Sequence, residues 1–446
     1  MTHISVPTGA KHILQKLHAA GYSAYVVGGC VRDSLLGRTA HDWDITTSAK
    51  PLDMMRIFSE ETIYETGIKH GTLTIRSCDH ELYEVTTYRT DGNYSDNRHP
   101  DEVIFVTSLK QDILRRDFTM NALAYNEKEG IVDYVSGYTD ISRGIIRCVG
   151  NADERFNEDA LRILRALRFS ATYGFKIDEA TDRAIHRNKH LLNNIAKERV
   201  HDELVKMLLG NNILDVLLSY SDVISFIIPE LGRCIGFEQN NPYHCYNVYD
   251  HIAYAVDAYK GTNPKVLLAL LLHDIGKPLC YTEDERGGHF HGHAEISADM
   301  AERILTNLKF DNDTKHTVVE LIRAHDMDIA PTKKSVRRAL SKFGPDFMAL
   351  LMDVRLADIM AHSSYLHDAR IEKHTKRLEI LDTILAENQC FSLKDLAVNG
   401  NDIMETFGLK PGKHVGEILH HLLDLVIADE IPNDKTELLI AAKRFL

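Results

Sequence analysis

Residues 41–47 read HDWDITT, two aspartates one residue apart at the edge of a β-forming stretch. In a strand, residues i and i+2 share a face. Asp42 and Asp44 are therefore expected side by side, with Trp43 and Ile45 on the other face. Adjacent carboxylates repel unless a positive charge lies between them. A hard divalent cation with oxygen ligands, such as Mg²⁺, meets that need, although the heptad alone also suits a solvated edge strand. The same two letters recur in LLLHDIGK (270–277), where His273 and Asp274 end an apolar run. His251 precedes them, and His289, His291, His293, His325 and Asp358 follow. Imidazoles mixed with carboxylates suit a divalent transition metal.

Three further groups of residues carry charge in patterns that could handle phosphates. Gly28-Gly29 lies between a β-rich run, AYVV, and a helix carrying Arg32 and Asp33. Glycines at such a turn let backbone N–H groups approach a phosphate. LRRDFTMNALAY (114–125) brings Arg115, Arg116, Asp117 and Asn121 together. NEDALRILRALRF (157–169) spaces Asp159, Arg162, Arg165 and Arg168 three residues apart, a row that winds slowly around a helix. Taken singly, these read equally well as a plain turn, a helix cap and an amphipathic helix with a solvated basic face.

These residues need a scaffold that changes character along the chain. Up to about residue 140, AYVVGG, DWDITT, HGTLTIRS and LYEVTTYR are strand candidates rich in Val, Ile, Thr and Tyr. CVRDSLLG reads as a helix stopped by Gly37, and residues 90–103 read as a polar, turn-rich loop. After Ile141 strand patterning nearly vanishes. Helical periodicity runs through EDALRILRALRFSATYG, KERVHDELVKMLLG, VLLALLLHDIG and ISADMAERILTNL. The expected architecture is an α+β head followed by an all-α body.

In this order the head motifs resemble the nucleotidyltransferase superfamily of the DNA polymerase β type, whose signature is GG followed by a paired-aspartate strand. GGCVRDSLLGRTAHDWDITT, TGIKHGTLTI, YEVTTYRTDGNYSDNRHPDEVIF, RRDFTMNALAY, DYVSGYTDI and NEDALRILRALRF are similar to successive motifs of the bacterial (class II) CCA-adding enzymes, the tRNA nucleotidyltransferases. VNGNDIMETFGLKPGKHVGEIL and IPNDKTELLIAAKRFL resemble that family's C-terminal body. The resemblance implies a polymerase-β-like mixed sheet with helices, CTP and ATP as nucleotides, Mg²⁺ as cofactor and the tRNA 3′ end as acceptor. It implies metal binding by Asp42 and Asp44, with Glu84 as an auxiliary. Gly29 and Arg32 match positions at the triphosphate. Arg116 matches a nucleotide-binding arginine, and Asp117 a position near the ribose. Asp159 and Arg162 match the pair that reads the base edge, with Arg165 and Arg168 as further nucleotide contacts. An Asp accepting from an amine beside an Arg donating to an acceptor selects cytosine and adenine, which share that edge, over guanine and uracil.

The order H…HD…D downstream resembles the HD phosphohydrolase superfamily. That likeness implies an HD-type helical domain with His251, His273, Asp274 and Asp358 as its core, and with His293 and His325 available to a second metal. A scaffold retained without chemistry is the competing view. For the head, the alternatives are a poly(A) polymerase or a partial enzyme adding only CC or only A. Intact Asp42 and Asp44 argue against an HD enzyme with a dead head and against a non-catalytic tRNA-binding protein. The presence of the 90–103 loop argues against CC-only addition, and YEVTTYR looks like the CCA type.

The totals are compatible with all of this. At 446 residues several domains are expected. The boundaries read as a catalytic head at 1–146, a helical neck at 147–236, an HD-type domain at 237–370 and a tRNA-binding C-terminal body at 371–446. No apolar run approaches the ~20 residues of a membrane span, and the N-terminus reads as an amphipathic helix. The seven cysteines form no CxxC pair, which suits free thiols in a reducing compartment and points to a cytoplasmic protein. A net charge of −13 argues against indiscriminate nucleic-acid binding. Residues 155–206 hold eleven Lys/Arg against eight Asp/Glu, so an RNA surface would be local.

Overall fold

The computed structural model describes residues 4–92, 103–285, 287–387 and 389–446. Most of the 90–103 loop lies outside the described residues. The chain divides into two compact units, Met1–Pro229 and Glu230–Leu446.

The first unit is built on a seven-stranded mixed sheet. Its order is Thr62–Tyr64, Thr72–Arg76, Leu82–Thr87, Ile45–Thr47, Ala24–Val27, Leu123–Asn126 and Gly130–Asp133. Only the pairing of Ile45–Thr47 with Leu82–Thr87 is parallel, in register Ile45 to Val85. Alternation along Leu82–Thr87 buries Tyr83, Val85 and Thr87 and leaves Glu84 exposed on the opposite face. Tyr25, Val27, Tyr88, Ile113, Ala122 and Ala124 pack into one apolar cluster against this sheet. The helix Gly29–Leu35 follows the Ala24–Val27 strand directly, through Gly28 at φ +84, a conformation that L side chains rarely adopt. Beyond the sheet, strands shrink to short ribbons and helices dominate, as the patterning predicts.

Two expectations need correction. Asp42 and Asp44 do not sit inside a strand, because the strand begins at Ile45. The Trp43 indole N–H donates to the Ala40 carbonyl at 3.3 Å, in the loop that leads into it. The ladder nonetheless extends one bond further, with Val27 N–H donating to the Asp44 carbonyl at 3.0 Å. Asp159 is likewise not helical. It occupies an extended junction after Ala152–Glu158, and the arginine helix runs from Leu161 to Tyr173.

The second unit is helical apart from the hairpin Thr282–Asp284/Gly287–His289. Pro264 and the Asn263 side chain, which accepts from the Lys265 N–H at 3.0 Å, start the helix Pro264–Leu272. Every residue from Val266 to Leu272 is buried, so this is a central helix. A separate apolar cluster toward the C-terminus includes Ile403, Ile418, Leu422 and Leu438.

The helix Gly137–Arg143 packs closely beneath the site-bearing turn at 119–121. A Cβ on Gly137 would lie 2.1 Å from the Thr119 carbonyl oxygen. Gly137→Ala is expected to destabilise the first unit by ~1–3 kcal/mol, the usual cost of overpacking. Urea unfolding compared with the parent chain checks this, and an unchanged midpoint would mean that the turn moves freely.

Candidate functional site

A cavity of about 360 Å³ opens in the first unit, lined by Gly28, Gly29, Arg32, Asp33, Asp42, Asp44, Arg116, Asp117, Asn121, Arg165 and Arg168, with Thr39, His41 and Phe169 completing its wall. Residues from four separate stretches thus converge, and most of the phosphate-handling groups read from the sequence are among them. At one end are the carboxylates. Desolvation by the surrounding walls raises the pKa of Asp44, and the charges of Glu84 and Asp42 raise it further against the opposing Arg116. Like-charged carboxylates held together are the donor set for a hard divalent cation. At the other end are cations. Arg32 lies over the rings of Tyr173 and Phe169, at 4.7 and 5.2 Å from their centroids. Arg116 is held by the buried Asp112 at 3.1 Å, and its Nε is buried without a hydrogen-bond partner. Arg168 lies over Phe169 at 4.3 Å, with its Nε 3.2 Å from Glu203.

Asp117 works structurally within this wall. Its Oδ2 accepts from Arg165 Nε and Nη2 at 2.9 and 2.5 Å, and its Oδ1 accepts from the Phe118 N–H and from Asn121. Burial opposes ionisation, but Arg165 outweighs it and holds the Asp117 carboxyl down at about 2.

The structure does not bring Asp159 and Arg162 into the lining of this cavity. The buried Arg162 donates to Glu158 at 2.6 Å and to the carbonyls of Arg155 and Arg115. Just before the arginine helix, Asp159 accepts from the Leu161 N–H at 3.0 Å, and Arg199 reaches its other oxygen at 3.1 Å. Arg115 turns to Asp112 at 2.7 Å.

Sequence reasoning missed Asp112, Glu158, Arg199 and Glu203. Arg199 and Glu203 stand one helical turn apart on Lys197–Leu208, and each meets a residue of the row that contains Asp159 and Arg168. The available signal was a glutamate among the apolar positions of an amphipathic helix.

A second constellation lies in the other unit. His251 comes from the helix Val248–Ala258, His273 from the end of Pro264–Leu272, His293 from the start of His293–Asn307, His325 from the end of Asn312–Ala324 and Asp358 from Pro345–Met360. In each histidine Nδ1 faces a backbone carbonyl: Ala361 at 3.2 Å, Leu270 at 2.7 Å, Phe290 at 2.9 Å and Ile322 at 2.6 Å, in the order 251, 273, 293, 325. A neutral ring so held donates from Nδ1 and turns its Nε2 lone pair inward. The Nε2 atoms of His251 and His273 are 3.4 Å apart, and those of His293 and His325 are 3.2 Å apart. Facing lone pairs at that spacing need a proton or a cation between them. The two oxygens of buried Asp274 have no well-formed hydrogen bond. Oδ2 lies 3.3 and 3.2 Å from His251 and His273, and Oδ1 lies 3.4 and 3.9 Å from His293 and His325. Asp358 Oδ1 lies 3.0 Å from His251.

The orphaned carboxylate and inward lone pairs fit a divalent transition metal, which His251, His273, Asp274 and Asp358 would hold. Lys277, also missed, contacts Asp274 Oδ2 at 2.7 Å and Gln239 at 2.8 Å. Burial alone would lower His273, but Asp274 and Asp358 outweigh it and push its pKa up to about 10. His289 and His291 do not join this set. Their rings stack at 5.7 Å, His289 at the end of the hairpin against Asp284 and His291 just beyond it. Among the described residues, the three-residue sets with donor atoms within 4.8 Å of one another all lie here, not at the head carboxylates.

Glu203→Gln removes the charge facing Arg168 while keeping the side chain's size. The two charges lie 3.2 Å apart without a hydrogen bond between those atoms, so the pair acts through charge, and a loss of ~1.4 kcal/mol in positioning corresponds to tenfold. Loss of Arg168 positioning is expected to raise the KM for the incoming nucleotide by about tenfold. Steady-state kinetics check this, and an unchanged KM would make Glu203 a packing residue only.

Comparison with known proteins brings the two units under one description. Residues 24–147 match the poly A polymerase head domain, residues 174–234 the probable RNA- and SrmB-binding site of polymerase A, and residues 289–442 the putative tRNA nucleotidyltransferase domain 2. The chain is 34% identical to a CCA-adding enzyme of Ligilactobacillus salivarius, over 97% of this chain and 95% of that one. It is 35% identical to one from Limosilactobacillus reuteri, over 96% and 94%. A Bacillus stearothermophilus CCA-adding enzyme solved with CTP shares 30% identity, covers 98% of this chain and 96% of its own, and superimposes with a TM-score of 0.74. A Thermotoga maritima CCA-adding enzyme solved with tRNA shares the fold, with a TM-score of 0.60 at 20% identity over 97% and 94%. With full-length identity of this order and two paired aspartates at the mouth of an arginine-lined cavity, the chain belongs to the family of CCA-adding enzymes, the tRNA nucleotidyltransferases.

Proposed function

We propose that this chain transfers CMP and AMP from CTP and ATP to the 3′ end of tRNA, building or repairing the terminal CCA without a template. The observation that carries this reading is the single cavity that joins Asp42 and Asp44 to Arg32, Arg116 and Arg168. Mg²⁺ held by Asp42 and Asp44 would lower the pKa of the attacking 3′-hydroxyl and stabilise the leaving pyrophosphate. The arginines spread positive charge along the triphosphate and bind its oxygens in pairs. The uncovered backbone at Gly28-Gly29 admits a phosphate where a side chain would stand in the way. Asp117 keeps Arg165 oriented. Asp159 and Arg162 read the base edge, which from their observed contacts requires Arg199 and Glu158 to yield to the base. Full CCA addition is favoured over poly(A) or A-only synthesis by the relatives named above.

We assign a head to 1–146, a helical neck to 147–236, whose last seven residues belong to the second unit, an HD-type domain to 237–370 and a tRNA-binding C-terminal body to 371–446. No helix among the described residues is long and apolar enough to cross a membrane. A cytoplasmic setting suits the seven free cysteines. A second activity, metal-dependent phosphate-ester hydrolysis, is favoured by the inward Nε2 atoms of four histidines around Asp274. A divalent transition metal held by His251, His273, Asp274 and Asp358 would supply an activated water there.

Asp42→Ala and Asp44→Ala are each expected to abolish addition of both C and A while tRNA binding persists. Gel assays at saturating Mg²⁺ test this, and near-normal turnover by either variant would refute the shared-site reading. Asp159→Ala is expected to slow CTP and ATP use while raising the relative use of UTP, because it removes the acceptor for the exocyclic amine and the repulsion against a carbonyl. Each such contact is worth roughly 1–3 kcal/mol, about ten- to a hundredfold. The check is kcat/KM for four nucleotides on tRNA lacking its terminal residues; unchanged ratios would make Asp159 structural. His273→Ala and Asp274→Ala are expected to leave CCA addition within a few-fold of the parent and to remove metal-dependent phosphohydrolysis. Loss of CCA synthesis in a folded His273 variant would contradict the independence of the two sites.

A further inference from the structure

Beside the histidine cluster lies a cavity of about 250 Å³ that the sequence reading did not anticipate. Two helices supply its cations. Pro345–Met360 presents Arg355 one turn before Asp358, and His367–Ala386 presents Arg370, Lys373 and Arg377 at i, i+3 and i+7, one face of the helix. Four formal positive charges thus face two carboxylates, Asp326 and Asp358. Asp358 already serves the histidine cluster, which leaves the cavity strongly cationic.

The guanidinium groups are anchored but not neutralised. Arg355 Nη1 donates to the Met327 carbonyl at 2.6 Å and Arg377 Nε to the Ile329 carbonyl at 2.5 Å. Among the described residues, none of the four cations forms an ion pair with a carboxylate. Burial and the neighbouring charge of Arg377 together hold Arg355 below its ordinary pKa. Like charges crowded in this way are costly unless an anion joins them.

The neighbouring cavity, about 270 Å³, shares His325, Asp326, Asp358, His362 and Arg370 with this one and carries Tyr243 and Phe290. Arg370 lies over Tyr243 at 5.1 Å. An aromatic wall, a cluster of metal donors and a cationic pocket therefore meet at Asp358.

We propose that the pocket formed by Arg355, Arg370, Lys373 and Arg377 binds a second phosphate of the substrate hydrolysed at the histidine cluster, so that the substrate is a nucleoside carrying two separate phosphates. This rests on the phosphohydrolase reading of that cluster. The scissile phosphate lies against the metal donors, the base against Tyr243 and Phe290, and the other phosphate among the four cations. Water forms the new bond to phosphorus, the bond from phosphorus to the ribose oxygen breaks, and the leaving oxygen takes the proton. The products are a nucleoside monophosphate and inorganic phosphate.

The test uses the full chain reconstituted with Mn²⁺. Hydrolysis of adenosine 3′,5′-bisphosphate is compared with that of adenosine 3′-monophosphate. The bisphosphate is expected to have a kcat/KM about tenfold higher or more, the value of one charge-assisted contact. In Lys373→Ala and Arg355→Gln, each checked for an unchanged melting profile, that ratio falls toward one. Calorimetric titration of the metal-free chain with the bisphosphate supplies an independent measurement. The head site is common to parent and variants, so binding lost in the variants belongs to this pocket. Equal kcat/KM for the two substrates, or a preference and a binding isotherm that survive both substitutions, overturns the proposal. Binding lost in the variants with no hydrolysis of either substrate keeps the anion pocket and refutes the phosphohydrolase reading on which its substrate role rests.

Discussion

The ion pair between Asp117 and Arg165 ties the arginine helix to the segment that follows the Leu109–Leu114 helix. It belongs to a closed polar circuit. Arg165 binds Asp117, and Asn121 donates to Asp117 and accepts from Arg32. Arg32 binds Asp33, and Asp33 accepts from the Tyr173 hydroxyl at 2.9 Å, back on the helix that carries Arg165. Each member fixes the next, and five of the six, Arg165, Asp117, Asn121, Arg32 and Asp33, line the nucleotide-sized cavity. A charged pair in a low-dielectric wall loses much of its worth if either partner is removed, because the other is left desolvated. The circuit therefore ties cavity shape to the fold: the groups that would meet a triphosphate are held by the contacts that dock the helix.

The carboxylates at the other end of the cavity follow the opposite logic. Asp42 and Asp44 are gathered, not neutralised, and repulsion from Asp42 and Glu84 helps to keep the Asp44 pKa raised. A site that concentrates unbalanced negative charge favours a hard cation, whereas a site of fixed arginines favours phosphate oxygens. Placing the two ends in one cavity supplies both halves of what nucleotidyl transfer needs.

The histidine cluster solves a related problem with imidazoles. Four imidazoles are aimed by backbone carbonyls at helix ends and loops, so their inward geometry depends on where five helices start, stop and cross. The buried Asp274, without a well-formed hydrogen bond at either oxygen, is tolerable only where strong positive character surrounds it; Lys277 provides part of that.

The order of motifs, the mixed head, the helical body and the identities of most cavity residues were legible in the sequence, because residue type and short spacing are local properties. Gly28-Gly29 marked the turn, the alternation in LYEVTT marked the strand that exposes Glu84, and the H…HD…D series marked the cluster. Local pattern misplaced Asp42, Asp44 and Asp159 by one secondary-structure boundary. Strand and helix ends depend on which neighbouring backbone accepts the last hydrogen bond, as Asp44 does from Val27. Only the tertiary structure decided which charges meet across long separations: Asp117 with Arg165, Asp159 with Arg199, Arg168 with Glu203, and Arg355 with Arg377. A sequence lists charges but not their distances. Coulomb energy depends on separation and burial, which exist only once the helices have packed.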